Sequence, residues 1–302
     1  MKTDCMYGAL KRYCAIMEQR YNHLSAAILM NIGLKIWTLM QLTIYIYGDD
    51  RNKETGVCVM DEYTEETYGE RIAGVYDQMY SEFNPAAIQV LSELAHGGKA
   101  LELGIGTGRI ALPLLHTGVA VDGIDASESM VSILRCKPKG ERIPITMGNF
   151  ADVPVDGQYS LIYVVFNTFY ALLTQDEQIR CFQNVAMHLL PDGVFVIEAF
   201  VPDMTRFTAG QSMRVTLIGE NEVQADASEI ELDKQLIIAR HIVLTEQGTR
   251  FYPVKIRYVW PSEMDLMARL SHLQLRERWS DWGKTPFTAE SGKHISVYEH
   301  LR

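Results

Sequence analysis

Between residues 97 and 200 the chain alternates short apolar runs with longer amphipathic ones, and that rhythm leaves few folds open. "GGKALELG" (97–104), "VAVDGIDAS" (119–127), "IPITMGNF" (143–150), "YSLIYVVF" (159–166) and "GVFVIEAF" (193–200) read as buried strands. Helical segments separate them. "IALPLLHTG" is helical despite Pro113, and "SESMVSILRCK" (127–137) opens on Ser127 as its N-cap. "TQDEQIRCFQNVAMHLL" (174–190) opens on a capping box, Thr174 to Glu177, and turns Ile179, Phe182, Val185 and Leu189 to one face. "PDG" is then expected to turn the chain into the fifth strand. Strands alternating with helices of this length predict right-handed βαβ units and an α/β, doubly wound, mostly parallel sheet.

After Phe200 the rhythm changes. Four strand-like runs between 212 and 260 are separated by "GEN", "LDK" and "EQGT", which look like hairpin connections. An antiparallel β meander inserted into the parallel sheet is therefore expected after the fifth strand, within 203–260. "PSEMDLMARLSHL" (261–273) returns to helix, with Ser262 and Asp265 at its start. "QLRERWSDW" and "HISVYEHL" supply two last strands, seven in all for the main sheet.

Composition narrows the function. The 302 residues carry a net charge of −10, which argues against a nucleic-acid backbone as partner. Five cysteines (Cys5, Cys14, Cys58, Cys136, Cys181) form no CxxC pair and no cluster with histidine, so no metal site is expected and a reduced, cytoplasmic location is. Residues 1–59 differ from the rest and carry +2 against −12. Their apolar stretch at 25–48 has Lys35 near its middle, which disfavours a membrane span. It is read as an extra helix or an extension, with Met60 as an alternative start for the domain at 60–302.

The segment "ALELGIGTGRI" (100–110) lies between the first strand and its helix, where doubly wound sheets bind ligands. Gly104, Gly106 and Gly108 recur at alternate positions around Thr107 and Arg109, departing from the GxGxxG spacing of nicotinamide loops. Glu102, two residues before the first glycine, would repel a pyrophosphate and would suit a ligand bearing an ammonium and a sulfonium. Asp125 ends the second strand and is placed to accept two hydrogen bonds from ribose hydroxyls.

"ELGIGTGR", with "DGIDASESM", "GNFADV" and "LLPDGVFVIEAF", resembles the class I S-adenosylmethionine-dependent methyltransferases over about residues 60–302, and within them the bacterial small-molecule type that includes amino-sugar N-methyltransferases. The resemblance implies a seven-stranded Rossmann-like sheet with its last strand antiparallel, and S-adenosyl-L-methionine as cofactor. It implies that Gly104, Gly106, Thr107, Gly108 and Arg109 form the loop under the methionine end and that Asp125 holds the ribose, with Ala126, Ser127 and Met130 beside it. Asn149 and Phe150 would flank the adenine; the family usually has aspartate at the position of Asn149. An N-terminal helix lids the cofactor in this family, which makes Tyr68, Arg71, Tyr76 and Tyr80 candidates, the tyrosines by cation–π attraction and Arg71 as partner of the cofactor carboxylate.

The acceptor side is less legible. "FNTFYALL" (166–173) follows the fourth strand and should face the transferring methyl, with Phe166 against the cofactor and Asn167, Thr168 and Tyr170 toward the substrate. "NTFY" lacks both prolines of the NPPY motif, and Asn167 and Thr168 also fit a simple capped turn. Tyr170 and His241 are the candidate acid/base residues, with His294 and Glu198 behind them. The expected activity is direct in-line transfer of a methyl to N or O of a small-molecule acceptor, with a homodimer as one possible assembly. The alternatives are a cofactor-binding regulatory protein without turnover and a nucleic-acid methyltransferase.

Overall fold

The computed structural model describes residues 63–80 and 84–301. The reading of residues 1–59, including the apolar stretch at 25–48, lies outside them. In chain order the elements are helices α1 (Thr67–Met79) and α2 (Pro85–Ala95), strand β1 (Ala100–Leu103), α3 (Ala111–His116), β2 (Val121–Asp125), α4 (Glu128–Cys136), β3 (Ile145–Met147), β4 (Tyr159–Val164), α5 (Gln175–His188) and β5 (Leu189–Phe200). Strands β6 (Gln211–Ile218), β7 (Glu222–Glu231), β8 (Leu236–Thr245) and β9 (Gly248–Arg257) follow, then α6 (Pro261–Leu270), β10 (Leu273–Trp279) and β11 (Lys293–His300).

Seven strands form one sheet in the order β10-β11-β5-β4-β1-β2-β3. The five strands from β5 to the β3 edge are parallel, while β11 runs antiparallel to both β5 and β10. Both faces are covered, which is why the strands read as continuous apolar runs. Leu101, Leu103, Ile162, Val164, Phe195 and Ile197 pack toward Cys181, Phe182 and Val185 of α5 and Met264 and Met267 of α6. The alternate residues Ala100, Leu161, Tyr163, Val194 and Val196 pack toward Ile88, Leu91 and Leu94 of α2 and Leu114 of α3.

Local chemistry sets the boundaries. Ser127 Oγ accepts from Met130 N at 3.2 Å, and both halves of the Thr174–Glu177 capping box are formed. "PDG" is not a turn. β5 begins earlier, at Leu189, and Pro191–Gly193 form a bulge, because Tyr159 pairs with Leu189 whereas Leu161 already pairs with Val194.

The meander is a second, separate four-stranded antiparallel sheet, β6-β7-β8-β9. Ile237 on its inner face enters the core of the first sheet, with Ile256 packed against it. Farther along that face Tyr252 packs with Ile72 and Ala73 of α1 and Met130 of α4. The second sheet and α1 thus close over the carboxyl ends of the parallel strands. No helix among the described residues is long and apolar enough to cross a membrane.

Candidate active site

The glycines have different neighbours. Gly104, Gly106 and Gly108 all have positive φ (71°, 55° and 76°), which favours glycine over any residue with a Cβ. A Cβ on Gly104 would meet Thr168 Cγ2 at 2.5 Å, and one on Gly108 would run into Leu134 Cδ1. A Cβ on Gly106 would meet nothing within 4 Å. Two of the three are packing glycines, and Gly106 alone fronts open space.

The carboxylates beside the loop are fixed by backbone and side-chain donors. Gly106 N donates to Asp125 Oδ2 at 2.6 Å, and Ser127 N donates to Oδ1 at 2.8 Å. With the Ala126 N–H also directed at it, the carboxylate keeps lone-pair capacity for a further donor. Burial raises the Asp125 pKa, and these backbone hydrogen bonds oppose the rise. Glu102 is buried on β1 and accepts from Tyr163 Oη at 2.9 Å. Burial pushes its pKa up to about 8, against the Tyr163 hydrogen bond and the Arg109 charge. Glu102 is therefore held mainly as the neutral acid at neutral pH, and a cation placed beside it would favour its carboxylate.

Helix α1 contributes an aromatic wall. Tyr76 and Tyr80 lie 5.0 Å apart, and Tyr80 meets Phe166 edge-on at 5.2 Å. The Arg109 guanidinium lies over the other part of this cluster, 4.1 Å from the Phe166 ring centroid. Burial raises the Tyr76 hydroxyl to about 12 and the Tyr68 hydroxyl well above its ordinary value, so both are neutral hydrogen-bonding groups.

Two carboxylates fasten this helix, and sequence reading missed both. Glu70 Oε1 accepts from Ser127 Oγ (2.7 Å) and Ser129 N (3.0 Å), while its Oε2 accepts from Ser129 Oγ. Asp77 accepts from Thr107 Oγ1 at 2.6 Å and pairs with Lys137 Nζ at 2.6 Å. Lys137 also donates to the Thr107 carbonyl at 2.8 Å. Thr107 thus serves to tie the glycine loop to α1. The one available signal was the seven-residue spacing of Glu70 and Asp77, which places both on one side of a helix. Gly69 allows the approach: a Cβ there would stand 2.5 Å from Ser127 Cβ.

Several expected site residues are placed otherwise. Arg71 is exposed, about 140° round α1 from Tyr76 by helical geometry, so it is not brought to the aromatic wall. Tyr170 is fully buried, and its hydroxyl is directed at the backbone carbonyls of Phe200 (2.8 Å) and Val259 (3.0 Å). Desolvation raises its pKa further, so it braces the end of β5 and is no acid/base residue. Asn167 Oδ1 accepts from Phe200 N at 2.7 Å, which makes it a turn brace. Thr168 packs its methyl where a Gly104 side chain would go. His294 is sealed in the core and burial lowers its pKa to about 3, which leaves it too weak a base for neutral pH.

Other expected residues do surround the loop. Met130 is buried against α1, and Phe150 lies beside Gly104. Ala126 follows Asp125 and donates its N–H toward that carboxylate. Asn149 Oδ1 accepts from Ala151 N at 2.9 Å, which fixes its carboxamide in the loop after β3. His241 is on β8, in register with Asp226 of β7 and Tyr252 of β9. Its Nδ1 lies 2.7 Å from Asp226 Oδ1, and its Nε2 is buried without a hydrogen-bond partner. The His241 ring lies 6.4 Å from that of Tyr252, which shares a hydrophobic cluster with Tyr76 and Tyr80, so the pair stands beside the aromatic wall. Among the described residues no group of histidines, cysteines and carboxylates has the arrangement of a metal site.

Known proteins resemble this chain in sequence and fold. A methyltransferase-domain family model matches residues 100–193. The CcbJ methyltransferase from Streptomyces caelestis is 37% identical and superposes with a TM-score of 0.75, covering 80% of this chain and 100% of its own. The cypemycin N-terminal methyltransferase of a Streptomyces species is 26% identical over 239 residues, 77% of this chain and 97% of that one. The dTDP-3-amino-3,6-dideoxy-alpha-D-glucopyranose N,N-dimethyltransferase of Streptomyces fradiae is 25% identical over 183 residues, 55% of this chain and 70% of that one.

Proposed function

Because the chain belongs to the class I S-adenosylmethionine-dependent methyltransferases, we propose that it methylates an amine nitrogen of a small-molecule acceptor by direct in-line displacement. The cofactor is S-adenosylmethionine, which supplies a methyl already activated on a sulfonium. The observation that carries the assignment of its place is Gly106: a left-handed backbone position with open space where a side chain would stand, bonded to the Asp125 carboxylate. The loop residues would lie under the methionine end. Asp125 would accept from the ribose hydroxyls with its remaining lone pairs, and Asn149 and Phe150 would flank the adenine. Glu102, Tyr76, Arg109 and Phe166 would surround the charged end.

The choice of nitrogen is supported by one relative named as an N,N-dimethyltransferase, by another named as an N-terminal methyltransferase, and by the chemistry of the wall. Neutral tyrosines, the Phe166 ring and nearby carboxylates favour a cationic or amine-bearing acceptor. An amine is protonated at neutral pH and must lose a proton to become a nucleophile. The Asp226–His241 pair, of which Asp226 is the more exposed member, is assigned that proton. Closure by α1 and the second sheet would exclude water from the reacting atoms.

The test is incubation with methyl-labelled S-adenosylmethionine and three acceptor sets: primary amines including amino sugars, phenols, and neutral sugars. Label confined to the amines supports the reading. Label in phenols or hydroxyls alone would replace N by O.

A further inference from the structure

Phe166 and Asn167 form an unusual exit from β4. Both have positive φ, 59° and 66°. Asn tolerates this conformation, but a bulky Phe in it is an outlier that the surroundings must enforce. The Phe166 ring is also among the exposed large apolar side chains. A strained backbone that leaves an aromatic ring at the carboxyl edge of the sheet calls for a restraint.

Glu198, near the end of β5, supplies it twice. Its Oε2 accepts from Phe166 N at 3.2 Å, and its backbone carbonyl accepts from Asn167 N at 3.1 Å. The carboxylate is largely shielded, and its other oxygen lies 3.6 Å from Lys293 Nζ at the start of β11. Asn167 completes the staple from the other side by accepting from Phe200 N. The side chain that sets the Phe166 amide therefore comes from the neighbouring strand and is itself held by the strand beyond. The ring so placed receives Arg109 on its face and the edge of Tyr80.

We propose that Glu198 is a positioning residue for methyl transfer: its carboxylate holds the Phe166 amide, and through it the aromatic wall of the cleft. The consequence for activity rests on the reading of this edge as the methyl-transfer site; the clamp itself does not. Glu198 acts through Phe166 and is assigned no proton.

The experiment has two parts. The first uses full-length protein labelled with 15N-phenylalanine, one of only ten phenylalanines being the target. The Phe166 amide resonance is identified by its absence in Phe166→Ala. In the wild type it is expected downfield, as for an amide bonded to a carboxylate. It should shift upfield in Glu198→Met and stay near its wild-type position in Glu198→Gln, whose carboxamide oxygen still accepts. An amide indifferent to Glu198→Met overturns the clamp; if that variant does not fold, indifference to Glu198→Asp, whose carboxylate is drawn back from Phe166 N by one methylene, overturns it equally.

The second part is a double-mutant cycle on S-adenosylhomocysteine affinity, read by calorimetry. Glu198→Met should weaken binding roughly tenfold in the wild-type background and less than twofold in Phe166→Ala. Equal losses in both backgrounds overturn the claim that Glu198 acts through Phe166. If Phe166→Ala leaves affinity unchanged while the amide still follows Glu198, the clamp stands. The placement of Phe166 against the cofactor is then what fails.

Discussion

At the scale of single residues, Asp125 and Tyr170 separate binding from bracing. Asp125 accepts from Gly106 N and Ser127 N, so it orders the loop and is placed to hold the cofactor's ribose. Asp125→Ala is expected to weaken S-adenosylmethionine binding by about 1.5–3 kcal/mol, the scale for hydrogen bonds to a charged group, as calorimetry would record. Unchanged affinity would refute the assignment. Tyr170→Phe removes one donor from the buried carbonyls of Phe200 and Val259. It should lower unfolding stability by about 1–3 kcal/mol in denaturant titration, with cofactor affinity kept within roughly twofold. A large loss of turnover at unchanged stability would return Tyr170 to the chemistry.

At the scale of elements, α1 is a cover held down at two points. Glu70 grips the start of α4, and Asp77 grips the glycine loop through Thr107 and Lys137. Releasing one grip should let the helix open more often without unfolding the sheet. Glu70→Ala is therefore expected to speed S-adenosylhomocysteine dissociation several-fold in stopped flow and to raise amide exchange in α1, while β1 and β4 stay protected. Equal exchange in α1 and the sheet would contradict a local opening. These contacts also mark what the sequence could not tell. The Ser127 cap and the Thr174 box were legible because every partner lies within one helical turn. Glu70 meets Ser127 across 57 residues, and Asp77 meets Thr107 across 30, so no local pattern encodes them. The same holds for Asn167 and Tyr170, whose polar groups point to β5 and to the residues before α6. Pro191–Gly193 misled for a different reason: a bulge uses the same residues as a turn.

For the whole molecule, apolar runs buried on both faces made the seven-stranded sheet legible, whereas nothing local revealed that the meander forms a sheet of its own. Burial also sets the pH response. Glu102 has a folded pKa of about 8 against an ordinary 4.5, so the folded state holds a proton that the unfolded state releases between those values. Its contribution is fully present below 4.5 and is lost as pH rises through 8. His294 has a folded pKa of about 3 against an ordinary 6.5, so its contribution is present above 6.5 and is lost as pH falls toward 3. The two slopes oppose each other between 4.5 and 6.5, where the ligand-free protein is expected to melt highest. Glu102→Gln should flatten the alkaline limb in thermal melts from pH 6.5 to 8; a limb as steep as the wild type's would contradict this account.

The central claim is that a cofactor lies against the bare backbone of Gly106, and one comparison tests it most directly. S-adenosylhomocysteine is titrated into the wild type and into Gly106→Val, with the melting temperature of each measured alongside. An added side chain at Gly106 meets open space in the protein itself, so beyond the strain of a positive φ it should cost little stability. The expected result is saturable one-to-one binding by the wild type and none by Gly106→Val, with melting temperatures only a few degrees apart, roughly the shift of 1–2 kcal/mol. Binding by Gly106→Val as tight as that of the wild type would show that the loop is a packing turn and that the cofactor lies elsewhere.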